Sequence, residues 1–287
     1  MEPQVDLLKT KNIEPIKTKD FMLSMESFSL VYDQEKFLFQ TIPVPENLDK
    51  YYESDAYISH TDSKESFFDK VYQFAKSFNL KKKLSWTLQG SKTEKLLDVG
   101  CGTGDFLNLA KANGLEVDGV EINKSARKIS EEKLNQSIFT SISELQGKQY
   151  DRITLWHVLE HLNDFEGSIE QLKDLLNPGG VLIIAVPNFK SFDAQYYKSY
   201  WAAYDTPRHL WHFSRETFYY LKDKYNLEYL QDKGMVLDSF YVSLLSEKYK
   251  KNVFGVIRAF FIGFWSNMSA LYSRQHSSQV YFLKKHT

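Results

Sequence analysis

The stretch WHVLEHL contains residue types that could bind a metal, because His157, Glu160 and His161 follow the spacing His-x-x-Glu-His. On a long helix this spacing places both histidines and the carboxylate on one face, as in inverted zinc peptidases. The segment DRITLW directly before the motif reads as a strand, so the motif is expected at the end of a strand instead. We therefore expect no zinc-peptidase site, and the motif needs another explanation.

A glycine-rich turn lies upstream, in the segment LLDVGCGTGDFL. Gly100, Gly102 and Gly104 follow a predicted strand and precede a predicted helix, so a ligand can approach the backbone closely. Asp98 ends the strand, and a carboxylate there would repel a pyrophosphate but suits a ligand with positive charge. The glycine spacing also differs from Gly-x-Gly-x-x-Gly, and no phosphate-binding Lys-Ser/Thr pair follows. The turn therefore predicts a cationic ligand without phosphate.

A second acidic residue, Glu121, ends the next predicted strand, LEVDGVE. A carboxylate in that position can accept hydrogen bonds from both hydroxyls of a ribose, although a solvated strand-end acid is the simpler alternative. S-adenosylmethionine meets both requirements, since it carries an ammonium, a sulfonium and a ribose but no phosphate. We predict it as the cofactor, with S-adenosylhomocysteine as the product.

Strands and helices alternate from Lys95 onward. The predicted strands are KLLDVG, LEVDGVE, SIFTSI, DRITLW, VLIIAVPN, NLEYLQDKG and SSQVYFLKK. Helices are predicted from Asp105 to Gly114, over SARKISEEKL with Ser125 as its N-cap, and over FEGSIEQLKDLL. This alternation predicts an α/β fold of the Rossmann-like, doubly wound type, with a mainly parallel seven-stranded sheet and helices on both faces.

Composition limits the classes of partner and the cellular compartment that we expect. Lys plus Arg (36) nearly balance Asp plus Glu (37), so no nucleic-acid partner is expected. The single cysteine, Cys101, cannot form an intrachain disulfide, which favours a reducing, cytoplasmic setting. The apolar run Val253–Met268 contains Arg258 and falls short of the roughly 20 residues of a bilayer span. We predict a buried or lid helix there, with an interfacial helix that touches lipid as the alternative.

Together these segments resemble class I S-adenosylmethionine-dependent methyltransferases. The segments that carry the resemblance are LLDVGCGTGDFL, VDGVEI, YDRITLWHVLEHL and LNPGGVLIIAVPN. The later DTPRHLWHFS is similar to a segment of the branch that includes ubiquinone-biosynthesis O-methyltransferases. The resemblance is strong from Lys95 to Thr217 and weak before it. It implies in-line displacement at the sulfonium methyl by a small-molecule acceptor, expected to be a hydroxyl.

The resemblance also implies roles for individual residues at the cofactor. Asp98 and the glycine turn would hold the methionine end, Glu121 the ribose and Ile122 the adenine. The family often has an acid against the adenine amine where this chain has Ser141, so that contact would be weaker or made by backbone. The implied cofactor positions are Asp98, Gly100, Cys101, Gly102, Gly104, Glu121, Ile122, Ser141, Ile142 and His157.

Two further features concern the cofactor side, a possible metal and the N-terminal segment. Ubiquinone-type relatives resemble the opening motif with Glu-x-x-Glu-His, which has been proposed to bind a divalent cation. Here His157 replaces the first acid, and hard cations prefer oxygen ligands, so we expect no metal. In the N-terminal segment YYESDAYISH, Tyr57 or His60 is hypothesised to close over the methionine end of the cofactor.

Candidate acceptor-side residues come from the opening motif and from the segment YDTPRHLWH. A hydroxyl acceptor benefits from a general base, for which His161, Asp205 and His209 are the candidates. Arg208 and His212 are predicted to bind substrate, Arg208 through a bidentate contact with an acidic group. The alternative for Asp205 and Arg208 is an ion pair that fixes the loop.

The predicted organisation is a cap or extension over residues 1–90 and a methyltransferase domain over residues 91–287. The domain would carry a substrate-side loop at 188–213 and a lid-like helical insertion at 240–277. Two alternatives to small-molecule methylation remain: a cofactor-binding protein without transferase activity, and a methyltransferase that acts on a lipid or a macromolecule.

Overall fold

The protein is described by a computed structural model over residues 13–52, 67–90 and 94–287. The chain forms two compact units. The described part of the first comprises residues 13–52, Val186–Leu221 and Lys233–Gln279. The described part of the second comprises residues 67–90 and 94–185, Lys222–Asp232 and Val280–Thr287.

Elements are numbered along the described residues. The strands are β1 Ile16–Lys19, β2 Ser27–Asp33, β3 Leu38–Ile42, β4 Lys95–Val99, β5 Glu116–Val120, β6 Tyr150–Trp156, β7 Leu176–Pro187, β8 Trp211–His212, β9 Leu227–Gly234 and β10 Ser278–Lys285. The helices are α1 Phe67–Thr87, α2 Asp105–Ala112, α3 Lys124–Leu134, α4 Phe165–Asp174, α5 Phe192–Tyr197, α6 Arg215–Lys224, α7 Asp238–Tyr249 and α8 Gly255–Ser273.

The second unit is built on a sheet of strand order β5-β4-β6-β7-β10-β9. β4 pairs in parallel with β5 and β6, and β6 in parallel with β7. Leu96 on β4 and Val117 on β5 are buried in one cluster with Leu84 of α1, Leu107 of α2 and Leu134 of α3. Each such side chain stabilises the fold by about 1.5–3 kcal/mol relative to leaving it in water. The predicted α/β fold with a mainly parallel sheet is confirmed.

Within the described residues this sheet has six strands rather than the predicted seven. The segment SIFTSI contributes only an isolated parallel bridge between Phe139 and Val120. Local bonds replace the strand, because Glu144 accepts a hydrogen bond from the Thr140 backbone and Ser141 starts a 3-10 turn, Ile142–Leu145.

The cap of α3 also differs from the prediction. Asn123, in an extended conformation, accepts a hydrogen bond from the Ala126 backbone N–H at 3.0 Å. Ser125 lies inside the helix, two residues after the N-cap, so its side chain does not cap it.

The first unit contains an antiparallel sheet that the sequence analysis did not predict, with strand order β1-β2-β3-β8. β2 and β3 form a hairpin, and β8 adds two residues to the edge of β3. Leu30 and Phe39 of this sheet pack with Tyr197 and Trp201 in one buried cluster.

Helices α7 and α8 pack against each other in the first unit, in the region predicted as a helical insertion. α8 turns small side chains inward, with Gly255, Ala259 and Gly263 buried. Its large side chains point outward, since Phe261 is 62% and Trp265 59% exposed. The helix is therefore not buried, and its predicted role as a lid stays a prediction. Among the described helices, α8 included, none has the length and hydropathy that a bilayer crossing requires.

Asp193 of α5 ties several segments of the first unit together. Its buried carboxyl accepts hydrogen bonds from Trp201 Nε1 at 2.7 Å, Ser266 Oγ at 2.6 Å and Ser277 Oγ at 2.7 Å. These donors come from the segment after α5, from α8 and from the residue before β10.

Replacing Asp193 should therefore destabilise the first unit. Asp193→Ala leaves three buried donors without their acceptor, which we expect to cost about 3 kcal/mol or more of the free energy of unfolding. Asp193→Asn keeps one acceptor oxygen and should lose less. Denaturant titration measures both variants against Asp223→Ala, which removes an exposed carboxyl. Equal midpoints for Asp193→Ala and Asp223→Ala would refute the role of Asp193.

Candidate functional site

The turn after β4 needs its glycines for different reasons. Gly100, Gly102 and Gly104 have φ values of +69°, +56° and +77°, a region that favours glycine. A Cβ on Gly100 would lie 2.4 Å from Val158 Cγ2, and one on Gly104 would lie 2.5 Å from Ser130 Oγ. A Cβ on Gly102 would meet no atom within 4 Å. Packing thus explains two glycines, and Gly102 is the one whose backbone adjoins open space.

Glu121 is held beside this turn, next to Gly102. Its Oε2 accepts a hydrogen bond from the Gly102 N–H at 2.8 Å, and its Oε1 accepts one from the Asn123 N–H at 2.8 Å. A carboxylate has about four acceptor positions, so two hydroxyls can still bind. The next side chain, Ile122, is 86% exposed, although Glu121 and Asn123 on either side of it are held by a hydrogen bond to each other. The pair offers an acceptor for a sugar and an apolar surface beside it.

Asp98 is buried beneath the same turn and accepts a hydrogen bond from Thr154 Oγ1 at 2.6 Å. Burial raises the pKa of Asp98 to about 7, the Thr154 hydrogen bond and the Lys83 charge oppose that rise, and Glu121 adds to it. A cation placed against a buried carboxyl group favours its ionised form, so Asp98 suits a cationic ligand. Neither Thr154 nor Lys83 was predicted from the sequence. Thr154 is the direct neighbour of Asp98 in the β4–β6 pairing.

The motif WHVLEHL forms a sharp turn at the end of β6. His157 has a φ of +59°, an uncommon value for a residue other than glycine, and its Nδ1 lies 3.4 Å from Glu160 Oε1. Leu159–His161 is a single 3-10 turn. The long helix required for a zinc-peptidase site is therefore not formed. His157 and His161 both lie at the carboxyl end of β6, the edge of a parallel sheet where ligands bind.

The Cys101 side chain points away from the turn's open side. It is buried in the core cluster under α1 and α2, and a Cβ on Gly119 would lie 2.9 Å from its Sγ. Burial first, and the Asp98 charge second, raise the pKa of the Cys101 thiol to about 12. Any contact of Cys101 with a cofactor would have to come from its backbone.

Other predicted cofactor positions are less constrained by the structure. Ser141 and Ile142 are half-buried at the start of the 3-10 turn after the Phe139 bridge, and Ser141 Oγ lies 2.8 Å from Ser143 Oγ. Tyr57 and His60 lie outside the described residues.

In the first unit, Arg208 is the centre of a buried ion-pair network. Its guanidinium donates to both carboxyl oxygens of Asp205 at 2.6–3.0 Å, to Asp20 Oδ1 at 2.9 Å and to the Tyr51 carbonyl at 3.1 Å. Arg208 is 1% exposed. Burial lowers the pKa of Arg208, but the bonds and charges of Asp205 and Asp20 outweigh it and raise the pKa overall.

The predicted roles of Arg208 and Asp205 therefore change. The alternative that the sequence analysis kept open, an ion pair that fixes the loop, matches this geometry. A substrate-binding Arg208 does not, because its donors already serve protein acceptors. The predicted role of Asp205 as a proton acceptor does not match this geometry either, since its carboxylate is held by the same guanidinium. Removing either partner would leave a buried charge, which is costly.

His209 is buried with a defined tautomer. Its Nδ1 lies 2.9 Å from the Ala203 carbonyl oxygen, which can only accept, so Nδ1 carries a proton. In the neutral ring Nε2 is then the basic atom, and it lies 4.0 Å from Asp205 Oδ2. The role of His209 as a general base stays a prediction.

The His212 ring is held by contacts within the protein, which do not support its predicted role as a substrate ligand. Thr41 Oγ1 donates to the His209 carbonyl at 2.7 Å and so accepts from His212 Nε2 at 2.9 Å. The His212 ring also meets Tyr204 edge to face at 5.3 Å. Burial first, and His209 second, hold the pKa of His212 well below its usual range, so the ring stays neutral.

The residues of the second unit fit S-adenosylmethionine by their chemistry. An ammonium suits the buried Asp98, ribose hydroxyls suit Glu121, and an adenine suits the exposed apolar surface of Ile122. Gly102 leaves room where a side chain would otherwise stand.

Comparison with known proteins gives the same family. Residues 63–232, more than half of the chain, match the sequence model of a family described as "Methyltransferase domain". A demethylmenaquinone methyltransferase from Staphylococcus carnosus is 28% identical over 136 residues, covering 41% of this chain and 56% of that protein. A ubiquinone biosynthesis O-methyltransferase from Bradyrhizobium sp. is 31% identical over 107 residues, covering 34% and 42%. The chain thus spans about half the length of the curated relatives it matches.

Solved structures share the fold. A magnesium protoporphyrin IX methyltransferase from Synechocystis PCC 6803 aligns with a TM-score of 0.55 at 14% identity, over 82% of this chain and 97% of its own. A putative sarcosine dimethylglycine methyltransferase from Galdieria sulphuraria aligns with a TM-score of 0.51 at 16% identity, over 74% and 86%. At these identities the similarity concerns the fold alone.

The buried Asp98, the glycine turn and Glu121 thus indicate the same family as the fold and the sequence match do. The chain belongs to the methyltransferase-domain family, as its resemblance to class I S-adenosylmethionine-dependent methyltransferases predicted.

Proposed function

We propose that the protein transfers a methyl group from S-adenosylmethionine to a hydroxyl of a small-molecule acceptor. The observation that carries the proposal is the arrangement of Asp98, Gly102 and Glu121 around one glycine turn. Two acids and an open backbone position suit a ligand with an ammonium and a ribose, and they do not suit a phosphate.

Each of these residues has a task in holding the cofactor. When bound, S-adenosylmethionine supplies a methyl group on a sulfonium, which an acceptor atom can displace in line. Asp98 would stabilise the ammonium, Glu121 would accept the ribose hydroxyls, and Ile122 would lose its exposure to water beneath the adenine. The protein contributes orientation and exclusion of water rather than covalent chemistry.

Deprotonation of the acceptor hydroxyl falls to a histidine. His209 has a tautomer in which Nε2 can accept a proton, and its Nδ1–H is fixed by the Ala203 carbonyl. His161, at the carboxyl end of β6, is the second candidate base. A base with a pKa near the working pH typically contributes about 10²–10⁴-fold to the rate.

The acceptor class that we propose is a phenolic ring hydroxyl. The hydroxyl is supported by the name of one matched relative, a ubiquinone biosynthesis O-methyltransferase. The name of the other, a demethylmenaquinone methyltransferase, supports a quinone-type ring but not a hydroxyl. Both are names of quinone-pathway enzymes, and quinone precursors carry ring hydroxyls.

Gly102→Ala tests the cofactor site with a matched control. Gly102 and Gly114 both have positive φ, +56° and +89°, and a Cβ on either meets no atom within 4 Å. Alanine should therefore strain both backbones and lower stability similarly, by about 1 kcal/mol. Calorimetric titration with S-adenosylhomocysteine should show a loss of at least ten-fold in affinity for Gly102→Ala alone. Equal affinities in the two variants would remove Gly102 from the site.

Asp98 should make cofactor affinity depend on pH. An ammonium is stabilised by the carboxylate and not by the acid, and burial raises the pKa of Asp98 to about 7 in the free protein. Below that pH the acid must lose its proton to bind the ligand, so the affinity for S-adenosylhomocysteine should fall as the pH falls, by up to about ten-fold per unit. Titrations between about pH 5.5 and 7.5, a range in which the ligand's own amine stays protonated, measure this.

Two variants separate Asp98 from other acids. Asp98→Asn should bind weakly with an affinity that no longer varies with pH. The exposed Glu132→Gln should keep the wild-type profile. A pH profile in Asp98→Asn that matches wild type would contradict the assignment.

His209 can be tested once an acceptor is found by screening phenols and hydroxyquinones for production of S-adenosylhomocysteine. His209→Gln should lower kcat by about 10²-fold or more, while cofactor affinity is unchanged. His161→Gln tests the second candidate, and the exposed His286→Gln is the control. Full activity in His209→Gln excludes it as the base. Binding of cofactor without turnover of any acceptor would favour the cofactor-binding alternative.

A further inference from the structure

The outward face of α8 consists of large apolar side chains, which a helix packed on a water-soluble protein normally buries. Successive helical residues are rotated by about 100°, so the buried Gly255, Ala259, Gly263, Ser266 and Ala270 form one stripe. The opposite side is exposed and apolar. We call it the α8 face; its main residues are Val256, Ile257, Phe260, Phe261, Phe264 and Trp265.

The inward stripe shows that this orientation is built into the packing. A Cβ on Gly263 would lie 2.8 Å from Phe240 Cδ1, so only glycine lets α7 approach this closely. Ser239 Oγ donates to the Gly263 carbonyl at 3.0 Å, and Asn267 Nδ2 donates to Ser239 Oγ at 2.8 Å. Rotating α8 to bury its aromatic residues would break these contacts. The exposed apolar face is therefore the stable arrangement of the two helices.

Positive charge borders the α8 face at both ends. Lys250 and Lys251 are exposed in the turn between α7 and α8, and Asn252 separates them from the exposed Val253 and Phe254. Lys250 Nζ also lies 5.9–6.0 Å from the ring centroids of Tyr196, Tyr197 and Tyr200. At the other end, Arg274 is the exposed C-cap of α8. The sequence contains no acidic residue from Lys248 to its last residue.

The charged side chain within α8, Arg258, lies at the border of the α8 face. Arg258 Nε donates to Tyr196 Oη at 2.8 Å and lies 3.4 Å from Glu247 Oε1, so its guanidinium is directed off the face. The α8 face therefore combines an uncharged aromatic surface with a cationic rim, the composition of helices that lie in a membrane interface.

We propose that the α8 face binds the surface of a bilayer that contains anionic phospholipids, with α8 lying in the interface plane. Its aromatic and aliphatic side chains would enter the boundary between headgroups and acyl chains, and Lys250, Lys251 and Arg274 would meet the phosphates. The proposal concerns peripheral contact, in keeping with the absence of a bilayer-spanning helix among the described residues. It goes beyond methyl transfer and does not depend on it.

Charge favours a lipid surface over a second copy of the chain. In a two-fold symmetric pair each copy presents the same patch, so the cationic rims of both would meet without an acidic partner in this segment. An anionic bilayer offers the complementary charge, and each lysine near such a surface typically raises binding about five-fold.

Vesicle binding of the full chain tests the proposal. The vesicles are phosphatidylcholine alone, or equal parts of phosphatidylcholine and phosphatidylglycerol, and flotation measures the bound fraction. We expect strong binding to the anionic vesicles, a blue shift of Trp265 emission that Trp265→Phe removes, and weak binding to phosphatidylcholine alone. Lys250→Gln with Lys251→Gln should weaken binding to the anionic vesicles about five-fold for each lysine.

The apolar part is tested by Phe261→Ser with Phe264→Ser, which should reduce binding at least ten-fold. Both side chains are exposed, so far-ultraviolet circular dichroism and the Tm should stay at wild-type values. Ile129→Ser is the matched control, an exposed apolar residue on helix α3 that should bind as wild type does.

Three results would overturn the proposal. The first is no binding of wild-type protein to either vesicle. The second is binding that the double serine variant retains. The third is a wild-type dimer in sedimentation velocity that the serine variant converts to a monomer, which would assign the α8 face to self-association. Cofactor titration of the same variants is independent of these outcomes, so failure here leaves the methyltransferase proposal untouched.

Discussion

The attachment of the glycine turn to the end of β5 is the constraint on which the cofactor side of the second unit depends. The N–H groups of Gly100 and Cys101 both donate to the Val120 carbonyl, at 2.7 Å and 3.0 Å, and the Gly102 N–H donates to Glu121. These bonds exist because β4 and β5 are parallel neighbours whose carboxyl ends meet at one edge. Positive φ values in the turn let three successive N–H groups point the same way. One loop geometry thus fixes an acid, an open backbone position and an apolar neighbour relative to one another.

Much of this half of the site could be predicted from sequence because it is local. Asp98, Glu121 and the glycines lie at strand ends, and the alternation of strands and helices is enough to place strand ends at one edge. Thr154 could not be assigned, because its bond to Asp98 depends on the register between β4 and β6, which periodicity does not reveal. The same limit explains Gly100, whose need for glycine comes from contact with Val158, 58 positions further along the chain.

The first unit was harder to predict because its key partners are distant in sequence. Arg208 and Asp20 are 188 residues apart, so nothing near Arg208 indicates that its charge is already satisfied. A two-residue strand such as β8 is too short for alternation to identify, and His212 therefore read as a loop residue rather than a partner of Thr41. Segments rich in His, Asp and Arg suggest chemistry from composition alone, and only the tertiary structure shows that Arg208 and Asp205 bind each other.

Helix α8 shows a different limit of prediction from sequence. The spacing of its small residues was visible, but the usual rule that large apolar residues are buried gave the opposite orientation. Gly255, Ala259 and Gly263 recur every fourth residue, a spacing that marks one face for close helix packing. Average hydropathy instead directs attention to the large side chains and places them inside. Dispersion contacts and hydrogen bonds along the small stripe suffice to hold α8 against α7. The exposed side chains, Phe261 and Trp265 among them, contribute little to the stability of the chain in water, so any requirement for them must come from something outside the chain that they contact.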